Sequence, residues 1–216
     1  MKTNEILQKD VQDAIKWEPL LHAAEIGVIV KDGIVTLTGT VDNYIKKIEA
    51  ENATNTVLGV KGIIEKIEVR PDGSWSKSDT ELTVDIASIF KFNFEIPKDK
   101  INILVEKGWV TLSGEVNWDF QRRAAVRAIG NLGIIGVTNN ITVKSDLDES
   151  IEQKGIEDAI SRDWATNNQD IQVKVSGTKV TLTGVVKAGY QKEEAERIAW
   201  KAPGVWNVDN QLMVGY

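Results

Sequence analysis

The sequence predicts an α+β protein built from three small tandem repeats. A strand-like stretch occurs three times, at residues 33–39, 108–114 and 178–184, and each copy ends in Val-Thr-Leu-Thr/Ser-Gly. Apolar and hydroxyl residues alternate in it, as in a half-buried strand. The closing glycines, at positions 39, 114 and 184, are 75 and then 70 residues apart. A helix-like segment stands on each side of every copy, so the pattern indicates three equivalent folding units.

Each repeat is predicted to begin with an amphipathic helix and a hairpin. The helix stripes have apolar residues three and four apart, which places them on one helical face. These residues are Leu7, Val11, Ala14 and Ile15, then Leu82, Ile86, Ile89 and Phe90, then Ile156, Ala159 and Ile160. Asn4, Asp79 and Ser150 are the expected N-caps. Alternating apolar residues at 26–30, 101–105 and 171–175 predict a strand, which a short turn joins antiparallel to the repeated stretch.

A second helix and a last strand are predicted to complete each repeat. Ala50, Ala125 and Ala195 each lie eleven residues past a closing glycine, within a narrow stripe of small residues. The last strand is expected near residues 67–69, 141–143 and 212–214. A strand that returns through a helix pairs in parallel, so each repeat is an αββαβ unit with a three-stranded mixed sheet and two helices on one face.

Six glycines are predicted to have structural roles. Gly39, Gly114 and Gly184 close the repeated strand, where a sharp exit or a positive φ favours glycine. Another three, Gly59, Gly133 and Gly204, are placed to stop the second helices as C′ residues.

Turn-rich linkers at 71–76 and 145–150 separate the repeats, which gives them the boundaries 1–71, 76–145 and 148–216.

Composition excludes several functional classes. The 216 residues contain no cysteine, which excludes disulfides and thiolate metal sites. No apolar run is long enough for a membrane-spanning helix, and the first residues lack the apolar core of a signal peptide, so we expect a cytoplasmic protein. A net charge of −6 without a basic stripe argues against binding of nucleic acid. Residues 73–147 differ from the rest, with nine basic and nine acidic residues.

These motifs resemble the BON domain (bacterial osmotically inducible and nodulation), also called the transport-associated domain. The resemblance rests on the Val-Thr-Leu-Thr/Ser-Gly stretch and on the endings at 139–143 (Asn-Asn-Ile-Thr-Val) and 209–212 (Asp-Asn-Gln-Leu). The first repeat has Glu65 in place of that asparagine. The resemblance implies αββαβ domains without enzymatic activity, associated with phospholipid or the cell envelope and with stress. Family members are often periplasmic.

The residues predict no catalytic, metal or cofactor site. His22 is the only histidine, and its position beside two leucines favours a packing or capping role over catalysis. Acidic clusters at Glu49/Glu51 and at 193–196 lie on second helices. The second repeat has alanine or valine at those positions, which favours solvated helix faces over a general acid–base pair. We therefore expect a protein that is not an enzyme.

One surface of the second repeat is the candidate binding site. A helical step of about 100° places Phe120, Arg123 and Arg127 opposite the buried stripe, with Arg122 nearer its boundary. No acid occurs from residue 121 to 144. An exposed aromatic ring among arginines suits anionic lipid headgroups. The alternative is that Phe120 packs on a neighbouring repeat, because each repeat has an apolar or aromatic residue there.

Three hypotheses for function follow. The first is a non-catalytic stress- or envelope-associated binding protein that contacts anionic phospholipid surfaces. The second is a cytoplasmic scaffold that binds other proteins. The third is the binding of a small ligand between repeats, since clefts between domains are common ligand sites. Most of the seven tryptophans are expected to serve packing.

Overall fold

The computed structural model describes residues 2–21, 26–71, 73, 77–145, 150–167 and 169–215. His22 and Trp75 lie outside these residues. The helices and strands of the first repeat are α1 (Asn4–Trp17), β1 (Ile26–Lys31), β2 (Ile34–Val41), α2 (Tyr44–Asn55) and β3 (Gly62–Val69).

The second and third repeats follow the same order. The second repeat contains α3 (Asp79–Phe92), β4 (Ile101–Glu106), β5 (Trp109–Val116), α4 (Asp119–Ile129) and β6 (Gly136–Val143). The third contains α5 (Gln153–Arg162), β7 (Asp170–Ser176), β8 (Lys179–Val186), α6 (Gly189–Ala199), β9 (Asn207–Asn210) and β10 (Met213–Val214). The last strand of the third repeat is thus divided into two short pieces.

Each repeat has its own mixed sheet, with the Val-Thr-Leu strand in the centre. The strand orders are β1-β2-β3 and β4-β5-β6, and in the third repeat β8 lies between β7 and the β9/β10 pair. β4 runs antiparallel to β5, whereas β6 runs parallel to it. The same holds for β7 and for β9 around β8. The predicted α+β fold with three αββαβ repeats is confirmed.

The core of each repeat consists of one strand face and the helix stripes. The valine and leucine of the repeated stretch, such as Val110 and Leu112, are completely buried. Predicted helix residues such as Leu82 and Ile86 are buried as well. On α4 the buried small residues are Ala124 and Ala125. Along β5, buried residues alternate with half-buried or exposed ones, so the other sheet face is accessible to solvent, as expected for a two-layer unit.

Two predicted N-caps are one residue too late. Thr3 and Ser78 cap α1 and α3, and Ser150 is not a cap, because α5 begins after Glu152. Asn4 and Asp79 instead hold the hairpin turn of their own repeat. The Asn4 Oδ1 accepts a hydrogen bond from the Asp32 amide (3.0 Å). Both Asp79 oxygens accept one from a turn amide at 2.8 Å.

The six glycines with predicted structural roles all have positive φ, but they do not lie at the predicted points of their strands and helices. Gly39, Gly114 and Gly184 have φ of 133°, 141° and 127°. Their strands continue two residues further, so these glycines lie within the strands rather than closing them. A Cβ at Gly114 would lie 2.1 Å from the carbonyl oxygen of Lys100, the residue before β4. This close backbone contact, together with the φ, explains the glycine.

The prediction of C′ glycines was wrong. Helices α2, α4 and α6 end at Asn55, Ile129 and Ala199, and the glycines come four or five residues later. Gly59, Gly133 and Gly204 have φ of 105°, 79° and 80°. They therefore turn the chain into the last strand after an additional turn, instead of terminating the helix.

The chain divides into two compact units that do not coincide with single repeats. The first comprises residues 1–39, 48–67 and 147–216, and therefore most of the first repeat together with the third. The second comprises residues 40–47 and 68–146, and therefore the second repeat with the start of α2. In the first compact unit, the Asn55 Nδ2 of α2 donates to Glu193 of α6 (2.7 Å).

Candidate functional site

The predicted site is the outer surface of α4, formed by Phe120, Arg122, Arg123 and Arg127; we call it the α4 surface. Phe120 is 49% exposed. Arg123 and Arg127 are exposed, and Arg122 is half-buried. The helical spacing therefore places all four side chains as expected. What the spacing does not show is how their charges are balanced.

Asp119, the first residue of α4, forms ion pairs with two of these arginines. Its side chain is only 2% exposed. Its Oδ1 accepts a hydrogen bond from Arg122, and the Arg123 Nε lies 2.8 Å from Oδ2 in an ion pair without hydrogen-bond geometry. A carboxylate in the first helical turn also interacts favourably with the helix dipole. The arginine pair thus compensates a buried charge.

Arg127 has an acidic partner as well. Its guanidinium donates to the Glu95 carboxylate at 3.0 Å. Neither Asp119 nor Glu95 lies in the acid-free interval from 121 to 144, so that interval overstates the charge of the α4 surface. The surface keeps an exposed ring and one net positive charge from three arginines and two acids.

A second set of exposed side chains lies at or just past the end of the first helix of each repeat. Trp17 and Phe92 are the last residues of α1 and α3, and Trp164 lies two residues past the end of α5. We call these three rings the helix-end aromatics. They are 87%, 79% and 79% exposed. A basic residue of the last helical turn directly precedes two of the rings, Lys16 before Trp17 and Lys91 before Phe92. In the third repeat Arg162 lies two residues before Trp164. The apolar helix stripes predicted from the sequence end before these rings, so the sequence analysis gives the rings no role at the site.

The immediate surroundings of the three helix-end aromatics differ. Trp164 stacks on Tyr190, with ring centroids 6.3 Å apart. The Lys91 ammonium lies 5.8 Å from the centroid of the Phe92 ring. Other tryptophans are more engaged with the protein: Trp200 is buried, and the Trp109 Nε1 donates to the Thr138 hydroxyl at 2.8 Å. Core or inter-domain packing, predicted for most tryptophans, therefore does not describe Trp17 and Trp164.

A small cleft in the first compact unit lies between α2 and α6. It has a volume of about 180 Å³ and is lined by Asn55, Glu193 and Glu196 among others. The pKa of Glu193 is raised above its ordinary value, first because neighbouring groups displace water and second because Glu196 is close. Asn210 donates to Glu196 at 3.0 Å. If a small ligand binds between repeats, as the third hypothesis holds, this cleft is the corresponding site.

A larger groove lies within the third repeat, between α5 and α6. Its volume is about 480 Å³, and Ile156, Ala159 and Ile198 form part of its apolar lining.

Among the described residues, no group of three or more histidines, cysteines or acids could hold a metal ion. In the same part of the chain, no helix is long and apolar enough to cross a membrane.

Comparison with known proteins identifies the family. The BON domain profile matches the chain three times, at residues 3–71, 78–145 and 148–216. The chain therefore belongs to the BON domain family, with three tandem copies. This membership indicates a non-catalytic role in binding or as a structural scaffold.

Solved structures show weaker similarity, and no curated protein matches the chain significantly. CdsD, a structural protein of the type III secretion system of Chlamydia trachomatis, is 16% identical over 97% of this chain and 92% of its own, with a TM-score of 0.25. Its C-terminal domain gives 16% identity over all of both chains and a TM-score of 0.27. The PrgH periplasmic domain is 10% identical over 94% of this chain and 97% of its own, with a TM-score of 0.22. TM-scores of this size place no constraint on function.

Proposed function

We propose that this protein is a non-catalytic, peripheral binding protein of anionic phospholipid surfaces. The observation that supports the proposal is that every repeat has an exposed aromatic ring at or just past the end of its first helix, with a basic residue in the last helical turn. Aromatic rings with a polar environment on one side favour the membrane–water interface. Lysine and arginine next to them reach the lipid phosphates while their aliphatic stems stay in apolar surroundings.

Recurrence matters because a single contact of this kind is weak. One cation near an anionic surface contributes about 1 kcal/mol, and one exposed ring is ordinary in a folded protein. Several modest contacts that reach one surface bind cooperatively, since the later contacts form at high effective concentration. Trp17 and Trp164 supply two such contacts in the first compact unit, and Phe92 supplies one in the second.

Vesicle flotation tests this proposal. We expect the full chain to float with vesicles of phosphatidylcholine and phosphatidylglycerol, but not with phosphatidylcholine alone. Salt should weaken the interaction, because exposed charges are screened. A Trp17→Ser/Phe92→Ser/Trp164→Ser variant should lose binding.

The matched control carries Ile29→Ser and Leu104→Ser. These residues are also large, apolar and exposed, but they lie on strands β1 and β4 instead of at helix ends. The control should float like the wild type. A wild-type chain that stays in solution with anionic vesicles would overturn the proposal and leave the protein scaffold as the better hypothesis.

A further inference from the structure

The segment after α3, residues 93–100, presents the most exposed aromatic ring in the described part of the chain. Phe94 is 97% exposed, and Phe92 at the end of α3 precedes it by two residues. We call Phe92, Phe94 and the lysines beside them, Lys91 and Lys98, the α3–β4 tip. Large apolar rings exposed to water so close together in the sequence are of the kind that marks an interaction surface.

Backbone and side-chain contacts hold the two rings in this outward position. Ile96, between Phe94 and Pro97, is buried at the core. The Asn93 amide donates to the Ile89 carbonyl (3.0 Å), and the Asn93 side chain accepts from the Glu95 amide (2.9 Å). The segment is therefore tied down at both its start and its middle. Ordering it at a surface costs little additional conformational entropy.

Charge at the α3–β4 tip is complementary to an anionic surface. Residues 91–100 contain three lysines and two acids. Of the acids, Glu95 is engaged by Arg127 at 3.0 Å, which leaves Asp99. Among the described residues, Lys91 and Lys98 form no ion pair. Their ammonium groups are thus available to phosphate oxygens.

A groove adjoins these lysines. It has a volume of about 350 Å³, and its lining combines apolar side chains with Lys91, Lys98 and the acid Asp99. The apolar part consists of Ala87, Phe90, Pro97, Ile101 and Ile103. Cations at the rim of an apolar groove match a molecule with an anionic head and a hydrocarbon part.

We infer that the α3–β4 tip is the principal membrane contact of the chain, with Phe92 and Phe94 entering the interface of an anionic phospholipid bilayer and Lys91 and Lys98 binding its phosphates. This inference rests on the proposed function and assigns it to one site. The corresponding places in the other repeats are less suited to it. Trp164 is stacked on Tyr190 and follows Asp163, and Trp17 is followed by Glu18.

The α4 surface is the competing site on the same repeat. Its arginines have the acidic partners Asp119 and Glu95, and it offers one half-exposed ring. Binding of lipid phosphate there would have to compete with those carboxylates. Among the described residues, Lys91 and Lys98 form no ion pair, and Asp99 is the one acid in the lining of their groove. The structure therefore favours the α3–β4 tip.

Single labels distinguish the two sites, since the natural chain has no cysteine. Phe94→Cys and Phe120→Cys are each labelled with a polarity-sensitive dye on the full-length chain and mixed with phosphatidylglycerol-containing vesicles. We expect a blue shift and quenching by brominated lipid at position 94 only. A dye that remains in water at position 94, while the wild type floats, would overturn the inference and leave the proposed function standing.

Two variants test the chemistry of the α3–β4 tip. Phe92→Ser/Phe94→Ser should reduce vesicle partitioning about tenfold, and Lys91→Glu/Lys98→Glu should reduce it by at least as much and abolish its salt dependence. Phe120→Ser is the control and should bind normally. All four side chains are exposed, so circular dichroism should be unchanged. Normal partitioning by both tip variants would refute the inference, and a wild type that never binds vesicles would refute the proposed function itself.

Discussion

Asp119 decides how much positive charge the α4 surface presents to solvent. The carboxylate is buried at the start of α4 and lies within ion-pair distance of Arg122 and Arg123. A buried carboxylate without partners would be unstable, so the two arginines are needed locally whatever else they bind. The sequence predicts that these side chains share a face, but a helical projection does not show that an acid at the first position folds beneath them.

Replacement of Asp119 with alanine should destabilise the second repeat. The change leaves two arginines without their acid and removes a favourable charge from the helix N-terminus. Because both guanidinium groups remain partly exposed, we expect a loss of about 2 kcal/mol, less than for a fully buried pair. Urea unfolding followed by circular dichroism measures it.

Glu115→Ala is the control for this prediction, because Glu115 is an exposed acid on β5. It should change the unfolding free energy by less than about 0.5 kcal/mol. Equal stability of Asp119→Ala and Glu115→Ala would show that the ion pairs of Asp119 contribute nothing measurable to the fold.

At the scale of one strand, the asparagine of the repeat ending has a definite local role. The Asn139 side chain accepts a hydrogen bond from the Ile141 amide (3.2 Å), and Asn210 accepts one from the Leu212 amide (3.2 Å). In the first repeat Glu65 makes the equivalent bond to the Ile67 amide. The glutamate that departs from the sequence motif therefore preserves its hydrogen bond.

Asn139→Ala should weaken β6. The Ile141 amide loses its side-chain acceptor, and one hydrogen bond of this kind contributes about 1 kcal/mol. Neighbouring Asn140 provides a matched control, since it is exposed and its replacement removes the same chemical group. Thermal unfolding should show a lower Tm for Asn139→Ala than for Asn140→Ala. The same Tm for both would contradict a specific role of Asn139.

The elements themselves could be predicted more reliably than their ends. Alternation and helical periodicity identify all five elements of each repeat, because burial of one face imposes them. The ends depend on caps and turns, where residue type favours Asn4 over the actual N-cap, Thr3. The division of the last strand into β9 and β10 has no counterpart in the other repeats and no signal in the sequence.

The candidate site was only partly predictable, for the same reason. The stripe that ends at Phe90 implies that Phe92, two residues later, faces away from the core. That signal was present in the sequence. The exposure of Phe94 was not predictable, because it depends on burial of Ile96 and on the Asn93 turn. Pairing of Arg127 with Glu95, 32 residues apart, also requires the fold.

For the whole molecule, the sequence predicts three equivalent repeats but not how they associate. The first and third repeats share a compact unit, and the Asn55–Glu193 hydrogen bond joins their second helices. A Cβ at Gly189 would lie 2.5 Å from the Asn55 Oδ1, so the helices approach closely there. Such contacts depend on side chains distant in sequence, and repeat periodicity carries no information about them.

Association of the first and third repeats should depend on pH through Glu193. The pKa of this carboxyl is raised by loss of surrounding water and then by Glu196. A raised pKa means that the folded state favours the protonated acid. The resulting stability is complete below the unfolded pKa, near 4.5, and is lost as pH rises through the folded pKa. At neutral pH the charge on Glu193 is therefore unfavourable.

Glu193→Gln should consequently stabilise the first compact unit near neutral pH. Glutamine keeps an oxygen for the Asn55 amide and removes the repulsion from Glu196. Because Glu193 remains partly exposed and water screens it, we expect only a small increase in Tm, about 1–3 °C. The increase should disappear at about pH 4, where the wild-type carboxyl is also protonated.

Thermal scans of both proteins between these pH values measure the effect, with Glu49→Gln as the control. Glu49 lies on α2 in the same compact unit, so its replacement removes one negative charge without touching the Asn55–Glu193 bond. If both variants raise the Tm equally, the gain reflects net charge alone. A gain confined to Glu193→Gln and lost on acidification would show that this carboxyl couples the association of two repeats to pH.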